Sequence, residues 1–235
     1  MSVTTPWGAR AAKLYGGAYA RRYRGHDDVI RDSALVRRLG GWLGDICDRF
    51  DHDICVLDLG CGTGRYFHSL RHVKRLVGID VARPMLEEAR HPVGAPALSA
   101  ELVEGDFLAH DFGLAQFDLV YSIGVLAEHA PFDEAVVQRV KHWLMPAGRF
   151  AFTAVHPRSF SVPRTIKRQL AEALLPLSGG GLRRTLRARL MRDGIYADEE
   201  RLRAVLLAAG FEIESLEPYR SDVHLHTLVV ARKPA

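Results

Sequence analysis

The chain has 235 residues, 48% hydrophobic and 26% charged, enough to bury the core of one α/β domain carrying a modest insertion. Met1–Trp7 lacks the apolar run of a secretory signal and no segment approaches membrane-spanning length, so a cytoplasmic protein is expected. The net charge of +4 is unevenly spread: nine basic residues between Arg158 and Arg192 face one acid, Glu172, and Cys47, Cys55 and Cys61 form neither a C-x-x-C pair nor a disulfide framework.

In chain order, Tyr15, Tyr19 and Tyr23 recur every four residues, which predicts one face of a helix within 8–24. A second helix is predicted from Val29 to Phe50, with Leu35, Leu39, Leu43 and Ile46 inward and Gly40-Gly41 weakening its middle. Strands and helices then alternate: strand 54–58 and helix 63–72, strand 75–80 and helix 83–90, strand 101–105, strand 118–122 and helix 132–144, strand 148–155. Helix 198–209 stops at Gly210, followed by a strand from Phe211 and a last strand over His226–Ala231. This alternation predicts a parallel sheet with helices on both faces.

The chemistry concentrates at strand ends. Ile54–Leu57 runs into Asp58-Leu59-Gly60-Cys61-Gly62-Thr63-Gly64, whose glycines let the chain reverse and let a ligand lie against bare backbone. The second strand ends at Asp80, twenty residues beyond Gly60, where a carboxylate can accept both hydroxyls of a ribose. The third ends in Glu104-Gly105-Asp106-Phe107, an acceptor suited to an exocyclic amine beside an aromatic surface. The fourth leads into Ser122-Ile123-Gly124-Val125.

Together the loop, Asp80, Asp106 and this fourth segment resemble the class I S-adenosylmethionine (SAM)-dependent methyltransferases, closely over about residues 54–155 and in outline beyond. The resemblance implies a Rossmann-like, mostly parallel seven-stranded sheet with an antiparallel last strand, SAM as cofactor and S-adenosylhomocysteine as product. It places Asp58, Gly60, Cys61, Gly62, Gly64, Asp80, Val81, Met85, Gly105, Asp106, Phe107, Ser122, Ile123 and Gly124 around the cofactor, with Cys61 there as a packing residue. In that family a helix before the first strand often closes over SAM, which brings in Tyr15 and Tyr23 and sets Tyr19 toward the acceptor. Ala147 replaces the family's usual second glycine before the fifth strand. A dinucleotide would instead want a bulk-free helix N-terminus for its pyrophosphate and, for NADP, a cation near the ribose.

Residues 157–197 exceed a simple crossover. Ile166, Leu170, Leu174 and Leu177, then Leu182, Leu186 and Leu190, predict two amphipathic helices hinged at Ser178–Gly181, a helical lid insertion whose arginines attract an anionic small-molecule acceptor. Nucleic acid is disfavoured, because no aromatic ladder interleaves the basic run and no Asn/Asp-Pro-Pro-Tyr/Phe signature follows the fourth strand. His129 and His156, each following a strand, are the candidate catalytic bases. With Tyr19, Arg158, Tyr196, His224 and His226 they form the candidate acceptor site, bordered by 219–226. No metal site is predicted. Aminocarboxypropyl transfer or cyclisation with SAM, and RNA methylation, remain alternative chemistries for the same fold.

Overall fold

The structure is a computed structural model that describes residues 4–94, 99–160, 195–221 and 225–235, without the side chains of Arg158 and Phe160. The predicted lid helices, their hinge and arginines, and His224 lie outside the described residues. Three helices open the chain, α1 (Pro6–Leu14), α2 (Gly17–Ile30) and α3 (Ala34–Cys47). There follow β1 (Ile54–Leu59), a short 3-10 turn at Phe67–Ser69, β2 (Val73–Asp80), α4 (Arg83–Ala89), β3 (Ala100–Glu104), β4 (Phe117–Ser122), α5 (Glu134–Trp143) and β5 (Leu144–Val155). After a second 3-10 turn at Pro157–Phe160 come α6 (Glu199–Ala208), β6 (Glu212–Arg220) and β7 (Leu225–Arg232).

Helix starts follow side-chain chemistry. Thr5, Ser33, Asp133 and Asp198 each accept a hydrogen bond from a first-turn amide of α1, α3, α5 and α6, satisfying donors that a helix leaves open. Three expected elements differ. The tyrosine stripe is broken at Tyr15-Gly16, so Tyr15 caps α1 while Tyr19 and Tyr23 ride on α2. The helix expected from Val29 begins only at Ala34, because Ser33 caps there and the preceding residues finish α2. No α-helix follows the glycine loop over 63–72. Gly64 sits at φ +72°, outside the right-handed region, and tight turns from Gly64 to Cys61 and from Phe67 to Gly64 replace the helical ladder.

The seven strands are ordered β3-β2-β1-β4-β5-β7-β6, parallel except for β7, which runs antiparallel to both β5 and β6. Alternation along each strand divides the core. Leu57, Leu59, Val120, Phe150 and Phe152 pack with α5 and α6, whereas Ile54, Val56, Leu119, Tyr121 and Ala151 pack with Leu39, Trp42, Leu43 and Ile46 of α3. Helices therefore cover both faces. Ala147 adopts φ +62° ahead of the core of β5, a left-handed turn at a non-glycine residue that costs on the order of 1 kcal/mol. Among the described residues no helix is long and apolar enough to cross a membrane.

Because β1 and β4 are neighbours while β2 and β3 extend to the other side, the strand order reverses between β1 and β4. In open α/β sheets, ligands bind outside the carboxyl ends of the strands at such a switch point. Asp80, Asp106 and the glycine loop all lie at that edge.

Candidate active site

The loop after β1 is held by backbone and by one carboxylate. Gly60 and Cys61 amides both donate to Ile79 O, at 2.8 and 3.1 Å, tying the loop to the end of β2. Gly60 has φ +76°, and a Cβ there would meet Val125 Cγ2 at 2.6 Å, so the backbone takes a path open to glycine alone. Asp80 accepts the Gly62 amide at 2.9 Å on Oδ2 and the Ala82 amide at 2.8 Å on Oδ1. It thus joins the loop to the start of α4 without capping that helix, whose N-cap is Ala82. Burial raises its carboxyl above the ordinary value, opposed by the amides it accepts. Each oxygen keeps a lone pair for a further donor.

Asp106 is almost fully buried and already receives three donors. Leu108 N reaches Oδ1 at 2.9 Å, and Thr5 reaches Oδ2 through its amide at 2.8 Å and its hydroxyl at 2.5 Å. A methyl at position 8 would stand 2.7 Å from Asp106 Cγ, so Gly8 is what lets α1 seat against the carboxylate. The start of α1 is therefore part of this site.

A cleft of about 690 Å³, open solvent at its mouth included, lies above the strand ends. Of the residues expected at the cofactor, Tyr15, Tyr23, Gly60, Gly62, Asp80, Val81, Met85, Asp106, Phe107, Ile123 and Gly124 line it. Asp58, Cys61, Gly64, Gly105 and Ser122 do not line it. Asp58 is buried under the loop, and burial pushes its carboxyl up to about 8, so it is largely neutral at pH 7. Tyr121 lies beside it and holds the value down a little, although its hydroxyl completes no hydrogen bond in geometry. Cys61 packs on Gly78, where a Cβ would come within 2.9 Å of its Sγ. Ser122 donates to Leu59 O at 2.9 Å, joining β4 to β1, and Gly105 N donates to Asp80 O at 3.0 Å.

Lining residues not anticipated from sequence include Trp7, Gly8, Ala11, Leu108, Val125 and Ala130. Trp7 and Ala11 continue the four-residue rhythm of the tyrosines backwards, and Thr5-Pro6 is a cap-and-proline start, so both signals were present in the sequence. The cleft wall carries the carboxylates Asp80 and Asp106 and, among the described residues, neither lysine nor arginine. That balance suits a cationic ligand better than a pyrophosphate.

His129 stands at the far end of the wall. Its Nε2 lies 3.1 Å from the Tyr15 hydroxyl and 3.6 Å from Glu128 Oε1. Burial, then the neighbouring tyrosines and Glu128, hold the Tyr15 phenol well above its ordinary value, so it stays protonated. A second cleft adjoins the first across Trp7, Ala11 and His129, which line both. Of the other expected acceptor residues, Tyr19 packs edge-on against Tyr15 with ring centres 5.2 Å apart. The His156 amide donates to Leu225 O at 2.9 Å, and His226 pairs with Val155 in the β5–β7 ladder. None of these three, nor Tyr196, lines either cleft. Arg158 contributes its backbone to the second 3-10 turn.

A second polar cluster braces the loop from outside. Asp27 of α2, buried, accepts from the Thr63 hydroxyl and pairs with Arg65, whose Nη2 lies 2.5 Å away, and the Arg65 guanidinium sits 4.7 Å over the Tyr23 ring. The helix that carries Tyr23 is thereby locked to the loop that carries the glycines.

Comparison with known proteins agrees with this geometry. The family profile described as a methyltransferase domain matches residues 56–148. Demethylmenaquinone methyltransferase of Thermus thermophilus is 29% identical over 164 residues, 67% of this chain and 74% of the relative. Sterol 24-C-methyltransferase of Eremothecium gossypii is 30% identical over 152 residues, which is 62% of this chain and 37% of that longer protein. Among solved structures, magnesium protoporphyrin IX methyltransferase from Synechocystis PCC 6803 with bound SAH superposes with a TM-score of 0.67. It covers 97% of this chain and 99% of its own at 16% identity, a likeness of fold.

Proposed function

The chain belongs to the class I SAM-dependent methyltransferases, and on that premise we propose that it methylates a hydroxyl oxygen of a small-molecule acceptor, with Tyr15 and His129 handling the proton. The observation that carries this reading is the 3.1 Å contact between Tyr15, which lines the first cleft, and Nε2 of His129, which lines both.

The residues present suit the cofactor. Asp80 has lone pairs free for ribose hydroxyls. Val81, Met85, Phe107 and Leu108 supply apolar surface for the base, and the Gly60–Gly62 backbone, without side chains in the way, supports the amino-acid end. A Cβ at Gly124 would meet nothing within 4 Å, so the fourth strand-end also leaves room. SAM, when bound, supplies an electrophilic methyl on a sulfonium and leaves as a neutral thioether. Enclosure and alignment do most of the remaining work.

A hydroxyl acceptor must lose a proton as its oxygen is methylated, and the relay has a direction. In this scheme protonated Tyr15 donates to a His129 that carries its own proton on Nδ1, which leaves the Tyr15 oxygen to accept from the substrate hydroxyl. As the new bond forms, the substrate proton passes to Tyr15 and the Tyr15 proton to His129. Glu128 then stabilises the imidazolium. His156, held in backbone contacts away from both clefts, takes no part in this scheme.

The test is product identity. Incubation with SAM and a panel of hydroxylated aromatic and alicyclic compounds is expected to release S-adenosylhomocysteine in step with a methyl ether. Release of methylthioadenosine would assign aminocarboxypropyl chemistry instead, and turnover confined to RNA would overturn the small-molecule reading.

A further inference from the structure

The second cleft is a chemically mixed place. It encloses about 900 Å³, open solvent included, on the outer side of α1. Trp7, Leu14 and Ile195 give it apolar surface, and Leu14 is 48% exposed although it is a leucine. Arg10 and Lys13, one helical turn apart on α1, supply two cations on the same wall. Among the described residues neither makes an ion pair, whereas many of the chain's other surface arginines do. Among the described residues Glu128 is the one carboxylate on the wall, and it lies against His129.

From this arrangement we infer that the acceptor is an amphipathic carboxylate. Its flat apolar body lies along Trp7, Leu14 and Ile195, its acid group pairs with Arg10 and Lys13, and its hydroxyl reaches the Tyr15–His129 pair past Ala11. Arg10 and Lys13 share α1 with Trp7 and Leu14, so charge and most of the apolar surface are presented together, and a neutral or cationic compound would leave the two cations unanswered. Ala11 lies between Trp7 and Tyr15 at four-residue spacing and belongs to both clefts. As an alanine it puts a single methyl at the boundary that the two clefts share. The inference rests on the methyl-transfer reading above, since it takes the second cleft to be the acceptor's side of the reaction. It places the acid at the end of the acceptor remote from the oxygen that is methylated.

The probe is 6-hydroxy-2-naphthoic acid, followed by its own fluorescence, with its neutral methyl ester as the control. Both are titrated into full-length protein saturated with S-adenosylhomocysteine, and nucleoside binding is measured first in the same sample. The acid is expected to bind about tenfold more tightly than the ester, a preference that shrinks as salt is raised. In the R10Q/K13Q double variant the acid should fall to the affinity of the ester while the ester and nucleoside affinities stay as in the wild type. Equal affinity of acid and ester, absence of acid binding, or a preference that survives R10Q/K13Q overturns the inference. Absence of nucleoside binding overturns the cofactor assignment instead, so the two failures are told apart.

Discussion

Thr5 grips Asp106 twice, through its amide at 2.8 Å and its hydroxyl at 2.5 Å, across 101 residues of sequence. The same hydroxyl accepts the Gly8 amide at 3.2 Å, so one side chain both starts α1 and fastens it to the end of β3. Through that link Trp7, Ala11 and Tyr15 are set along the mouth of the cleft. Removing the hydroxyl in Thr5→Val loses a helix cap and a charge-assisted bond, about 1–2 kcal/mol of docking. Gly8→Ala drives a methyl into the carboxylate. Both variants are expected to release S-adenosylhomocysteine faster than wild type in stopped-flow measurements. Unchanged release would remove α1 from the cofactor site.

The Tyr15–His129 pair acts as a unit, and the kinetics should show it. Tyr15→Phe keeps the ring and loses the relay oxygen, while His129→Ala loses the final base. Each is expected to lower kcat about a hundredfold on a hydroxyl acceptor, with little change in SAM affinity. The double variant should be no worse than the slower single one. Additive losses would mean that the two residues serve separate steps.

Asp27 tests how the glycine loop is braced. Asp27→Ala strands a guanidinium that is mostly shielded from water, costing about 3 kcal/mol in urea unfolding. Adding Arg65→Met should recover part of the loss, because the orphaned charge goes with it. A loss well under 1 kcal/mol would show that the cluster contributes little to holding α2 on the loop.

Asp58 gives the stability a pH dependence of known sign. Its carboxyl titrates near 8 in the folded chain, against about 3.9 when unfolded. Between those values the native state holds a proton that the unfolded chain has released. The stability from this group is full below pH about 4 and drains away as pH rises to about 8. Asp58→Asn cannot ionise, so its unfolding midpoint should gain on wild type between pH 5 and 8. Parallel curves would contradict a neutral Asp58.

Much of the cofactor side was legible in the residues, because each determinant is local. The glycines, Asp80, Asp106 and the fourth strand-end all sit where a strand stops, and a parallel sheet brings its strand ends to one edge. Asp58 was harder to read. Its place at the end of an apolar run looks like that of Asp80, and only the packing of Tyr121 and the loop reveals that it lies beneath the floor of the cleft. The acceptor side depends on where α1 docks, a long-range fact set by Thr5 and Gly8 meeting Asp106. The periodicity of Tyr15, Tyr19 and Tyr23 suggests one straight helix, yet Gly16 and Gly17 turn it into two and leave Tyr15 at the corner facing His129.

Isothermal titration of S-adenosylhomocysteine into wild-type protein and Asp80→Ala bears most directly on the cleft. One site per chain is expected in the wild type, weakened by about 1–3 kcal/mol when the carboxylate that serves the ribose is gone, with no heat from NAD⁺. Silence with the nucleoside, equal affinity in the variant, or saturable binding of NAD⁺ would contradict it.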